Sequence, residues 1–183
     1  MKKKIITIFA LSAAVMFNVI PSYASTASSN QTKVSSSSSG SDYTKLPDAE
    51  TLKKDVGFVP KLLETMAKEF QFKEGSITEI SDYDSKGAVV NSRKGISFSY
   101  SRVKNDSTQT ISLSAEPAGN QTYSEKFTIT KYGDYILYSS EEQGNSVAWV
   151  DDEISYMFMD INRNVTIEEM KTMAKELIDL NKK

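Results

Sequence analysis

The chain reads as one α+β domain: an antiparallel meander of about seven strands, with a short helix before it and an amphipathic helix after it, both packed on one face. Three observations predict this. From Gly75 onward, apolar residues fall at every second position, the period of strands buried on one side. Pairs of turn-forming residues such as Asn105-Asp106, Gly133-Asp134 and Asp151-Asp152 separate these runs. After Thr166 the period lengthens to that of a helix with a well-marked start.

Residues 1–24 precede the domain and have the layout of a secretory signal peptide. Lys2, Lys3 and Lys4 form a positive n-region, Ile5 to Ile20 is almost wholly apolar, and Pro21-Ser22-Tyr23-Ala24 supplies a helix breaker followed by small residues at the cleavage positions. The apolar run is too short and wrongly flanked for a membrane span, and no later segment resembles a stop-transfer sequence. The expectation is an exported chain, secreted or associated with the cell envelope, with no membrane span once the leader is removed. Residues 25–42 are serine-rich, with Val34 their one appreciable hydrophobe, and are expected to form a disordered linker. Residues 43–183 then form the single domain, large enough to bury roughly two-thirds of its extended surface.

Within that domain Asp48 suits a helix N-cap, Ala49, Leu52 and Val56 share one helical face, and Gly57 suits a left-handed stop. Pro60 bars immediate resumption of the helix, because it pushes Val59 toward extended geometry. Leu62 to Phe70 favours helix by composition, with Leu62, Met66 and Phe70 at four-residue steps, although strand signals flank it. Strands are expected over Ile77–Tyr83, Gly95–Val103, Thr110–Ser114, Lys126–Thr130, Tyr135–Tyr138, Val147–Val150 and Ile154–Phe158. In the second of these Ile96, Phe98 and Tyr100 occupy one face and serines the other. Thr166 and Glu169 form a capping box, with Val165 and Met170 at staple positions. Ile167, Met170, Met173, Ala174, Leu177 and Ile178 then make one apolar stripe, which needs the sheet to cover it.

Composition excludes several chemistries. There is no cysteine, hence no lipid-anchoring thiol, disulfide, thiolate nucleophile or cysteine-ligated metal. There is no histidine, which removes Ser-His-Asp catalysis, the commonest zinc sites and any imidazole switch. Three of the 22 basic residues and none of the 24 acidic ones lie in the leader, which leaves 19 against 24, a net charge of −5. The two signs are interspersed, so no basic face points to nucleic acid or anionic lipid.

Few residues invite a chemical role. Asp82-Tyr83-Asp84-Ser85-Lys86-Gly87 opens like a calcium loop, but Lys86 and Arg93 stand where the pattern needs oxygen ligands, so a polar turn is expected. Asp151, Asp152 and Glu153 crowd three acids into one tight turn, where adjacent side chains splay apart, so a solvated turn is expected there too. No Gly-x-Ser-x-Gly elbow is present and the many serines have no histidine base, so no catalytic residue, cofactor site or metal site is expected. The aromatics are the stronger signal. Tyr135, Tyr138, Trp149 and Tyr156 lie close together in the chain, and on an exposed sheet face they would form a platform for glycan or peptide. The alternative is that alternate members fill the sheet–helix core. Met157, Met159, Met170 and Met173 similarly suit either an adaptable apolar pocket or gap-filling in the core.

The segment Leu46-Pro47-Asp48-Ala49-Glu50-Thr51-Leu52-Lys53-Lys54-Asp55-Val56-Gly57, continuing through Phe58-Val59-Pro60-Lys61-Leu62, together with Lys73-Glu74-Gly75-Ser76-Ile77, resembles a group of uncharacterised exported proteins of clostridia-like Gram-positive bacteria. The stretch from Val147 to Tyr156, followed by Val165-Thr166-Ile167-Glu168-Glu169-Met170 and Ala174-Lys175-Glu176-Leu177-Ile178, is similar to the C-terminal end of domain-of-unknown-function families attached to anti-sigma-type and envelope proteins. Asp152-Glu153 departs from the Asp-Gly usual in that hairpin. The resemblance implies export and a tryptophan-containing hairpin followed by a terminal helix; it implies no activity. The expected function is therefore a non-catalytic binding or sensing domain of the cell envelope, with an envelope protein or glycan as partner. The alternative is a carrier holding an apolar, lipid-like ligand between the curved sheet and the C-terminal helix.

Overall fold

The structure, a computed structural model, describes residues 31–36, 40–119 and 126–182. The expected leader at residues 1–24 lies outside the described residues, as do residues 25–30 and 37–39 of the expected linker.

Among the described residues nine strands form one antiparallel sheet: β1 (Gln31–Ser36), β2 (Thr65–Met66), β3 (Phe70–Tyr83), β4 (Val89–Lys104), β5 (Ser107–Pro117), β6 (Thr128–Tyr132), β7 (Tyr135–Ser140), β8 (Asn145–Asp151) and β9 (Ile154–Asp160). Their spatial order is β1-β3-β4-β5-β9-β8-β7-β6, with β2 beside β3. The sheet is two meanders, β3 to β5 and β6 to β9, joined where β5 pairs with β9. Helix α1 (Ala49–Val56) precedes the long strands, and α2 (Ile167–Ile178) follows the sheet. All seven expected strands and both capped helices are present. Asp48 accepts from the Thr51 amide, Gly57 closes α1 at φ 87°, and Thr166 and Glu169 exchange both capping-box hydrogen bonds.

Two segments differ from expectation. Leu62 to Phe70 contains no helix: Thr65–Met66 and the start of β3 form a hairpin. Its turn residues Ala67 and Lys68 both have left-handed backbones, at φ 48° and 62°, and the Glu69 amide donates to the Met66 carbonyl. The four-residue step from Met66 to Phe70 is a cross-strand pair, with both side chains fully buried. The second difference is at Gln31–Ser36, inside the serine-rich stretch expected to be disordered. It pairs with Thr78 to Tyr83 as an edge strand. A strand bonded along its backbone needs no apolar side chains of its own, so composition does not reveal it.

The β4–β5 and β8–β9 hairpins share one turn geometry. Asn105 and Asp106, at φ 51° and 59°, and Asp152 and Glu153, at φ 48° and 63°, are two-residue loops with both residues left-handed.

Candidate functional site

The registers assign every strand residue to one of two faces. On the first lie Phe98 and Tyr100 of β4, Leu113 of β5, Val147 and Trp149 of β8, and Tyr156 and Phe158 of β9, each no more than 1 % exposed. Leu52 and Val56 of α1 and Met170, Met173, Leu177 and Ile178 of α2 complete the same cluster. Both helices therefore cover one face. Arg102, itself 6 % exposed, locks this side together. Its guanidinium donates to Glu69 at the β2–β3 turn (2.8 Å), to Glu169 of α2 (2.6 Å) and to Gln109 of β5 (2.7 Å), and lies 4.4 Å from the centre of the Phe70 ring.

The four aromatics expected to form a platform divide between the two faces. Trp149 and Tyr156 are core residues, 1 % exposed, stacked at 5.0 Å with their planes 6° apart. They present no ring to solvent. Tyr135 is half-buried at the edge of the same face, where its hydroxyl donates to Asp151 Oδ1 at 3.1 Å. Only Tyr138 projects from the opposite face, where it is half-buried. The separation follows from the two-residue period: Tyr135 and Tyr138 are an odd number of residues apart, so one strand sends them to opposite sides.

Asp151 differs from the solvated turn residue expected. It is 3 % exposed and forms an ion pair with Lys61, whose ammonium also lies 3.5 Å from Asp152. The Lys61 amide donates to the Tyr156 hydroxyl at 2.8 Å, so this cluster fastens the segment after α1 to the β8–β9 hairpin. Burial alone would lower the Lys61 pKa, but the Asp151 carboxylate outweighs it and the net shift is upward. A lysine held charged in this way is a clamp and not a nucleophile. Asp152 and Glu153 are exposed. At the β3–β4 bend Asp84 accepts from the Lys86 and Ala88 amides, and Asp82 is bound to Arg93, so both carboxylates serve the turn and the strands.

The second face carries no helix among the described residues. A continuous row crosses it, running Ile129, Tyr138, Ala148, Met157, Ser114, Ser97 and Ser76 from β6 to β3. Its β6–β7 end is apolar and open: Ile129 is 63 % exposed and Ile136 39 %. Its centre holds a cavity of about 30 Å³ that opens to the surface, lined by Thr78 and Ile80 of β3, Ser114 and Glu116 of β5, Ala148 of β8 and Met157 of β9. In a flat sheet β3 and β8 would stand roughly 19 Å apart, four strand spacings. Sharing one cavity requires the sheet to curl toward this face. Gly95 permits the close fit, since a Cβ there would lie 2.8 Å from Thr78 Oγ1 and 2.9 Å from Ile80 Cδ1.

The polar groups at the cavity are unevenly satisfied. Ser114 Oγ is buried and has no hydrogen-bond partner. Glu116 is bound through Oε2 to Arg93 Nε at 3.3 Å, and Arg93 also holds Asp82 at 2.7 Å. Burial pushes the Glu116 carboxyl upward, and Arg93 only partly offsets it. Sequence alternation places Ser114 on the polar side of β5, but its meeting with Thr78 and Met157 depends on the curl, which alternation does not encode.

The residues expected to enclose an apolar ligand are themselves core. Met170, Met173 and Leu177 are at most 1 % exposed in the cluster that contains Trp149 and Phe158. No protein-family model matches the chain, and neither any curated protein nor any solved structure shows significant similarity to it.

Proposed function

We propose that this chain is a non-catalytic binding domain acting outside the cytoplasm, and that the sheet face carrying no helix among the described residues is the contact surface. The observation that carries this reading is the contrast in covering. Among the described residues both helices are spent on one face, while the other leaves Ile129 and Ile136 exposed, Tyr138 half-buried, and a separate open cavity whose Ser114 hydroxyl has no partner. The signal-peptide layout of residues 1–24 supports an envelope location, and an envelope glycan or protein is the partner class.

Retention on isolated cell-wall and membrane fractions tests it. The double variant Ile129→Asp/Tyr138→Ala should lose retention, while Thr172→Ala on the exposed side of α2 should keep it. Equal retention of both variants would remove the open face as the contact surface.

A further inference from the structure

The cavity on the open face has a chemistry specific enough to name a ligand group, on the premise that this face is the contact surface. The cavity is small and opens to the surface, with about 30 Å³ free for water-sized groups. Ile80, Ala148 and Met157 give it an apolar side. Ser114 Oγ gives it a hydroxyl that no protein group engages. The acceptor is Glu116, whose Oε2 is taken by Arg93. A free anion would meet the Glu116 carboxylate and a free cation the neighbouring Arg93 guanidinium, so a neutral group is favoured. The group must carry a small apolar end, one acceptor and one donor.

We propose that this cavity binds the acetamido group of an N-acetylated sugar. The methyl sits among Ile80, Ala148 and Met157, the carbonyl oxygen accepts from the Ser114 hydroxyl once that buried side chain rotates toward it, and the amide N–H donates to the Glu116 carboxylate. A sugar is favoured over an acetylated peptide by what surrounds the cavity. Ser97, Ser99 and Ser112 lie on the same face in adjoining register positions, and Ser155 lines the cavity itself, so hydroxyls are at hand for those of a sugar ring. Tyr138, next to Ala148 across β7 and β8, offers a ring for the apolar face of a neighbouring sugar.

The test is a nuclear magnetic resonance titration of the full-length chain with four probes: the β-1,4-linked trimer of N-acetylglucosamine, the matching glucose trimer, the deacetylated glucosamine trimer, and N-acetylalanine amide. The expected result is saturable shifts at the Thr78, Ser114, Glu116 and Ser155 amides with the acetylated trimer and none with the other two sugars. Ser114→Ala should weaken that binding about tenfold, the loss of one hydrogen bond, with the rest of the spectrum unchanged. Indifference to acetylation, an unchanged affinity in Ser114→Ala, or a response to N-acetylalanine amide alone would overturn the proposal. So would no response to any probe, which would make the cavity a water site only. If sugars shift only Ile129, Ile136 and Tyr138, the acetamido site fails while the open face stands as the contact surface. If none binds and the Ile129→Asp/Tyr138→Ala variant is still retained on cell walls, both readings fall.

Discussion

The two faces of the sheet are built from the same strands and differ in what closes them. On the helix side, aromatic rings, methionines and one buried arginine interlock until almost nothing is exposed. On the other side, serines, a charged cluster and scattered aliphatic residues meet without a covering layer among the described residues. Folding energy should therefore reside on the covered face, and the open face should tolerate change at little cost to stability. Among truncations to alanine the largest effect is expected at Trp149. Trp149→Ala removes the ring stacked on Tyr156 and should cost about 3–5 kcal/mol in urea unfolding. Met157→Ala, on the open face of the neighbouring strand, should cost no more than about 1–2 kcal/mol, because its side chain is only half-buried. Equal losses would break the contrast.

The two arginines sharpen it through charge. Arg102→Met should cost roughly 2 kcal/mol, less than a fully buried pair, because Glu69 and Glu169 still reach solvent. It should also alter the acid limb. Burial by itself would raise the Glu169 pKa, but hydrogen bonds from the Thr166 amide and Arg102 outweigh it and hold the carboxyl at about 2. A folded value below the ordinary 4.5 adds stability above that pH, lost as pH falls toward 2. In Arg102→Met that fall should shrink.

Glu116 on the open face has the opposite sign. Its folded pKa is raised, so as pH climbs past 4.5 the unfolded chain releases a proton the folded chain still holds, and stability declines. Glu116→Gln should remove that decline. Stability curves from pH 2 to 7 for the two variants, compared with the parent, decide both predictions. A steeper decline in Glu116→Gln would mean that the Arg93 ion pair outweighs burial.

Gly95→Ala comes next in size. The new methyl would press on Thr78 Oγ1 and Ile80 Cδ1 and lie 3.3 Å from the Ala115 carbonyl, so about 1–3 kcal/mol is expected. Amide shifts should be confined to β3, β4 and the cavity. Spread into α2 would show the two faces to be mechanically coupled.

The division between faces was legible in the alternation of single strands: Ile96, Phe98 and Tyr100 against serines, and the α2 stripe that needed covering. Both helix caps were legible because a cap is a contact within four residues. What failed was longer in range or different in kind. The Met66-to-Phe70 step fits a helical turn and a three-residue hairpin equally well, and left-handed Ala67 and Lys68 choose the hairpin. Trp149 and Tyr156 fitted either a surface platform or the core, because composition alone does not tell which side a strand shows; burial assigns them to the core. Asp151 looked solvated because its partner Lys61 lies 90 residues away. The cavity was hidden for the same reason: Thr78 and Met157 meet only through the curl of the whole sheet.

The smallest expected effect is the most informative about the open face. Ile129 stands on edge strand β6 at 63 % exposure, directly across from Tyr138. Replacing it with aspartate buries no charge, so Ile129→Asp should change unfolding free energy by less than about 0.5 kcal/mol. Leu137 is a strict counterpart, in the next strand but on the covered face and fully buried. Leu137→Asp would place a carboxylate in the aromatic core and should leave the chain unfolded, since an unpaired buried charge costs several kcal/mol, comparable with the whole stability of a domain. Circular dichroism and urea titration of the pair measure the difference directly. If Ile129→Asp also unfolds the chain, the open face is covered in the folded molecule, and its exposed residues are core to a contact with another part of the chain or a second copy. If it folds normally and loses retention on envelope fractions, the two faces divide the labour between them, one for stability and one for contact.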